Sequence, residues 1–140
     1  MNEDVTTEGV FDPESLAAAR DAYESVGPAA QTVVRETASA MEFDREEYRD
    51  RVTSEVVETA RDALFASLLV VHVGDREAFE SWRAETDADV TTFGSEDVDN
   101  VVWHAAPFGE AVAATFQDER DAAVATLRRQ AFGRLYRERL

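Results

Sequence analysis

Ala63–Val73 (ALFASLLVVHV) constrains this chain most, eleven residues in which only Ser67 and His72 are polar. Wound as a helix it is apolar on every face, the pattern of a helix buried on all sides. A bilayer span needs roughly 20 residues, so the run is a core element and no membrane is implied. Val52, Val56, Ala60, Leu64, Leu68 and Val71 carry one stripe through it at helical spacing, and no Gly, Pro or Asn interrupts Asp44–Val73. The expected element is a buried central helix. The β-branched Val70, Val71 and Val73 admit a buried strand instead, but no turn residue marks a place for helix to become strand.

The flanking segments supply starts and stops. Residues 1–10 read as a flexible N-terminal arm, and 11–140 as one domain. Asp12 followed by Pro13 reads as a helix start, with Phe11 stapling onto Leu16, and Gly27-Pro28 as its stop. A second helix follows from Ala29 to about Met41, with a thin apolar stripe. Asp44 repeats the start signal with Glu47 three residues on, and Thr53-Ser54 offers a kink or a second cap. Gly74-Asp75 reads as the end of the central helix and the cap of a partner helix, an αα-hairpin. Beyond Thr86 the period changes. Val90–Phe93, Val101–Ala106 and Ala111–Phe116 read as three strands, joined by short loops into an antiparallel meander. Asp118 then caps a last helix to about Arg139, with Val124, Leu127, Ala131 and Leu135 facing inward over the sheet. The fold class is α+β: N-terminal helices, a buried central helix, a three-stranded antiparallel meander and a C-terminal covering helix.

Charge bounds the setting. The 140 residues carry 30 acids against 14 basic residues, a net charge of -16, and every basic residue is Arg. A disordered chain would lack the 44% hydrophobic content, and a surface this acidic repels nucleic acid. Molar salt, which screens charge within about 3 Å, accounts for the excess. Cysteine is absent, so disulfides, thiolate metal sites and thiol nucleophiles are excluded. The acidic N-terminus carries no apolar run of the targeting kind, so the expected location is the cytoplasm.

The stretch from VTSEVVETARDALFASLLVVHVG to VVWHAAPFGEAVAATFQDERDAAVATLRRQAFGRLYRE resembles a family of small acidic haloarchaeal proteins of unknown function. The resemblance covers nearly the whole chain. It implies salt adaptation and assigns no catalytic residue.

Motifs for dinucleotide, P-loop, zincin and α/β-hydrolase chemistry are missing, and no cofactor is expected. Only His72 and His104 are available for imidazole chemistry, and with a carboxylate they would make a two-His, one-acid site. Two structural histidines, each bonded to backbone, are the commoner arrangement. On the strand at 101–106, Trp103 and His104 point to opposite faces; with Trp103 toward the covering helix, His104 faces solvent or the N-terminal helices. The loop Glu96–Asn100 alternates oxygen ligands like part of a calcium loop, but lacks the turn glycine and distal Glu.

The C-terminus breaks the charge rule. Residues 128–140 hold five Arg against one acid, a local charge of +4, while the other 127 residues carry -20. Arg128, Arg134 and Arg137 flank an apolar face that includes Phe132 and Tyr136, and Gly133 sits inside the helix, where it costs about 1 kcal/mol against Ala. A homodimer packed through this helix, with Gly133 at a close backbone approach, is one reading. A face that covers its own sheet is the other. The expected function is a non-catalytic interaction or ligand-binding module, with a small enzyme or metal protein centred on His72 and His104 as the alternative.

Overall fold

The computed structural model describes residues 5–95 and 97–140. In chain order the elements are β1 (Thr6–Glu8), α1 (Leu16–Ser25), α2 (Gly27–Ala40), α3 (Arg45–Arg51), α4 (Ser54–Leu68), β2 (Val71–Asp75), α5 (Arg76–Glu85), β3 (Asp89–Phe93), β4 (Asn100–Ala105), β5 (Glu110–Phe116) and α6 (Arg120–Ala131). A π-helical turn, Phe132–Tyr136, continues α6. The fold is α+β, with a five-stranded sheet in the order β1-β2-β4-β5-β3.

The central run corrects the expectation of one helix. It is helical only to Leu68, and Leu69 turns extended (φ -62, ψ 135) to deliver Val71–Asp75 into the sheet. A helix end exposes carbonyls that need donors, and here distant segments bring them. The Leu68 carbonyl accepts from Val10 N and Phe11 N, both at 2.8 Å, and Val70 N donates to the Phe11 carbonyl at 2.8 Å. The Leu69 carbonyl accepts from Arg128 Nε at 2.9 Å, and the Val70 carbonyl from His104 Nδ1 at 2.6 Å. Tertiary donors replace the missing turn residue, and the β-branched valines then suit the sheet.

The same contacts move two neighbouring boundaries. Phe11, held beside Leu69, stacks on Phe65 instead of stapling a helix (centroids 5.8 Å). Helix α1 therefore starts at Leu16, with Ser15, not Asp12, accepting from Ala18 N at 3.0 Å. Thr6–Glu8, expected within a flexible arm, pairs with the open edge of β2 as an antiparallel strand. Gly9 makes this approach possible: at φ +125, a Cβ would lie 2.5 Å from the Leu69 carbonyl oxygen. The Asp44 cap of α3 and the second cap at Thr53 stand as expected, with bonds of 2.8 and 3.3 Å to Glu47 N and Val56 N. Asp75 caps α5, but its partner is a strand, so the αα-hairpin is replaced by a β2–α5 unit.

The sheet is mixed, which corrects the meander. β4 pairs antiparallel with β2 and β5, while β3 pairs parallel with β5 at the far edge. Helix α5 carries the chain from β2 across one face of the sheet to that edge. β4 then lies on the other side of β5, two strand spacings or about 10 Å from β3. Arg76 donates to the Ser95 carbonyl at 2.9 Å and to the Val98 carbonyl at 3.0 Å.

Two cores result. Phe79 and Trp82 of α5 pack on Val101, Trp103 and Ala113. The opposite face carries the larger core, in which Phe65, Leu69, Leu127, Leu135 and Tyr136 meet Val71, Val102 and Val112.

Candidate functional site

The two histidines are placed by β-sheet register. His72 pairs with Trp103 across β2 and β4, so those side chains share a face, and His104, one residue on, takes the other. The sheet separates the two rings. His104 faces α6, not solvent or the N-terminal helices, because Trp103 faces α5. It is 1% exposed and both ring nitrogens are engaged. Nδ1–H donates to the Val70 carbonyl at 2.6 Å, which leaves Nε2 to accept from the Tyr136 O–H at 2.7 Å. Burial pushes the His104 ring down from its ordinary value and the Tyr136 phenol up. Burial also lowers His72, which is half-buried against Trp103 (centroids 5.8 Å) with Thr7 Oγ1 3.3 Å from its Nδ1. No ion pair within 4.0 Å joins either ring to a carboxylate among the described residues, although the charge of Asp12 acts against the lowering of both, and none of those residues form a group of three or more potential metal ligands. In the loop Glu96–Asn100, Glu96 lies outside the described residues, and the Val98 carbonyl is taken by Arg76.

The π-helical turn is what brings Tyr136 to His104. Phe132, Leu135 and Tyr136 are all buried in the chain's own core. The C-terminal face therefore covers its own sheet. Gly133 points the other way: a Cβ there would meet nothing within 4 Å.

The C-terminal arginines divide into two groups. Arg134 lies over the Phe93 ring (4.6 Å), and Arg139 over Phe108 (4.2 Å), the latter pairing with Glu110 at 3.3 Å. Arg128, Arg129 and Arg137 line a groove between α4 and α6, of about 580 Å³. Its walls include Ala63 and Ala66 from α4, and Ala125 and Phe132 from the C-terminal side. Arg137 lies over the Phe132 ring at 5.4 Å. Arg128 uses two of its five N–H groups on the Leu69 and Glu8 carbonyls, at 2.9 and 3.3 Å, and Arg129 reaches Thr126 Oγ1 at 3.3 Å. Among the described residues, no carboxylate lies within 4.0 Å of these three guanidinium groups. Asp62, also on the groove wall, accepts from the Tyr23 O–H at 2.6 Å, and burial together with that bond pushes the phenol up to about 12. Sequence reasoning singled out Arg128, Phe132 and Arg137 but not Arg129 or the α4 wall. The signal for that wall was the small, uncharged side chains of Ala63, Ala66 and Ser67 on one side of α4.

The architecture is an α+β fold whose mixed sheet is covered by helices on both faces, with an arginine-lined groove between α4 and α6. The chain belongs to a family of unknown function, DUF5809, whose model matches residues 10–137. No curated protein and no solved structure matches it. No helix among the described residues is long and apolar enough to cross a membrane.

Proposed function

We propose that the protein is a non-catalytic binding module whose α4–α6 groove takes a small ligand with an oxyanion head and an apolar body. One observation carries this reading: in a chain of net charge -16, Arg128, Arg129 and Arg137 line one groove with no described carboxylate partner. Lack of an ion pair is common to most of the arginines, since Arg76, Arg120 and Arg139 alone pair with acids among the described residues; what sets Arg128, Arg129 and Arg137 apart is their convergence on one groove. Guanidinium groups offer paired donors that match a carboxylate or phosphate. The alanines and Phe132 suit the apolar body, and the groove volume is that of a small-molecule site. The acid excess supports a salt-adapted protein of the cytoplasm. Calorimetry in high KCl with octanoate, octyl phosphate and octanol tests the reading. Binding of either anion but not the alcohol, lost in an Arg129→Glu, Arg137→Glu double variant, is the expected result. Equal binding of the alcohol, or no binding of either anion, removes it.

A further inference from the structure

We infer that the free edge of β3 is where a second copy of this chain docks, two β3 strands pairing antiparallel about a two-fold axis at Thr91. Strand β3 ends the sheet order and pairs on one side only, parallel to β5. Asp89 N donates to the Gly109 carbonyl at 2.8 Å, so the backbone groups of Asp89, Thr91 and Phe93 turn toward β5. Those of Val90 and Thr92 point out from the sheet, and among the described residues nothing bonds them. Sheet edges are commonly blunted by proline, lysine or a bulge. Asp89–Phe93 (DVTTF) has none of these, and its valine, threonines and phenylalanine favour strand pairing.

The charges along β3 select the occupant. Phe93 packs on the larger core, so Asp89, Thr91 and Phe93 share the face toward α6, with Asp89 about 13 Å from Phe93 along the strand. Asp89 is the direct neighbour of Glu110 in β5, a like-charge pair. Arg139 pairs with Glu110, while no cation lies within 4.0 Å of Asp89 among the described residues. At the other end Arg134 lies over the Phe93 ring at 4.6 Å and has no carboxylate within 4.0 Å among those residues. An antiparallel copy with Thr91 opposite Thr91 sets Asp89 opposite the second copy's Phe93, and so beside its Arg134. The two-fold axis repeats that pairing at the far end, which makes the edge self-complementary. A parallel copy would set acid beside acid. The same register joins Val90 of each chain to Thr92 of the other by a pair of backbone hydrogen bonds on each side of the axis.

The opposite face of β3 has room for the second strand. Val90 packs on the smaller core, so Val90 and Thr92 turn toward α5. There a groove of about 640 Å³, walled by Arg76, Glu80 and Arg83, runs beside the strand and takes the Val90 and Thr92 side chains of the second copy. With Asp87 just before the strand included, the edge carries three arginines and three acids, in a chain of net charge -16. Glu85 and Asp97 lie outside the paired strands, and molar salt cuts the reach of their repulsion to about 3 Å. This interface is separate from the groove between α4 and α6. Of the π-helical turn it uses Arg134, while the apolar side chains there are inside the fold.

A strand of this length covers less than the roughly 800 Å² per partner of a standard interface, so self-association depends on concentration. Light scattering in molar KCl should show the mass rise from 15.6 kDa toward twice that value as the protein approaches about 500 µM. Thr92→Pro removes a donor that faces the free edge and keeps the bonds to β5. It should weaken self-association about tenfold or more, with unchanged far-ultraviolet circular dichroism. Arg134→Glu should weaken it about threefold or more, since the substitution counts twice in a two-fold pair. Adding Asp89→Arg to that variant exchanges the two charges without touching the backbone and should restore association. The absence of cysteine allows a test of position. Thr91→Cys, on the axis where opposed Cα atoms lie about 4.5 Å apart, should oxidise to a disulfide-linked pair, whereas Val33→Cys, exposed on α2, should not. A wild-type monomer at about 500 µM, a Thr92→Pro variant that associates as wild type does, a charge exchange no better than Arg134→Glu alone, or cross-linking no faster at position 91 than at 33 each overturns the inference.

Discussion

Tyr136 donates its hydroxyl proton to His104 Nε2 across 2.7 Å, joining the π-helical turn to the middle strand of the sheet. Through Nδ1 the same ring holds the Val70 carbonyl, where the chain leaves α4 for β2. One buried imidazole thus ties three segments, each of which has a backbone or hydroxyl group that water does not reach.

Tyr136→Phe leaves Nε2 without a donor inside the core. The expected loss is about 1–3 kcal/mol, the cost of a buried unsatisfied acceptor. Urea unfolding checks it, and a midpoint equal to wild type would show that the hydrogen bond contributes nothing.

Acid should weaken the fold through the two histidines. Burial holds both rings below the ordinary 6.5, so the unfolded chain binds more protons than the folded one below that value. Stability is then full above about pH 6.5 and falls as pH drops through it. His104→Gln should flatten the slope between about pH 7 and 5, and His72→Gln, at a half-buried site, should flatten it less. Identical slopes in wild type and His104→Gln would assign the acid sensitivity elsewhere.

Much of the local grammar was legible: the caps at Asp44, Thr53 and Asp75, all three strands after Thr86, and the inward stripe Val124, Leu127, Ala131 and Leu135. What failed was wherever a distant residue decided a local outcome. No turn residue stands between Leu68 and Val71, because the helix end is satisfied by Val10, Phe11, Arg128 and His104. Strand order failed for a similar reason. A short loop favours a hairpin, but β5 lies between β3 and β4, and Arg76 from α5 takes the Ser95 and Val98 carbonyls. The candidate site was half legible. The excess of arginine at the C-terminus was plain, but which of them share a groove depends on where α4 lies.

Arg128 is the most exacting of these distant partners. Arg128→Met keeps the aliphatic stem but leaves the Leu69 and Glu8 carbonyls short of a donor, at an expected cost of about 1–3 kcal/mol. Lysine should not restore it, since one ammonium lacks the forked donors that reach both oxygens. Amide exchange locates the effect: Val10, Phe11 and Val70 should lose protection before the rest of the sheet. Uniform loss across all strands would contradict a local latch.

Gly133 distinguishes a C-terminal helix that packs on a second copy from one that covers its own sheet. If that helix packed against a second copy there, a side chain would weaken self-association. In the fold, nothing lies within 4 Å of the Cβ position and the backbone is helical, so Gly133→Ala should raise stability by about 0.5–1 kcal/mol. Thermal melts at several protein concentrations distinguish these outcomes, since only the dimer loss depends on concentration.

Salt tests the origin of the net charge of -16. The described residues give only three ion pairs, Arg76–Glu80, Arg120–Glu8 and Arg139–Glu110, against an excess of acids over most of the surface. Attraction between opposite charges therefore offers little to lose on screening, while repulsion among acids offers much to gain. The screening length grows from about 3 Å in 1 M salt to about 10 Å in 0.1 M, so removing salt lengthens the reach of that repulsion. The melting temperature should fall steadily as KCl is lowered from molar to about 0.1 M. Sodium chloride should act alike at equal ionic strength, because screening depends on charge and concentration and not on the cation. A melting temperature flat across that range would show that the acids are tolerated without salt, and the salt-adapted reading would fall with it.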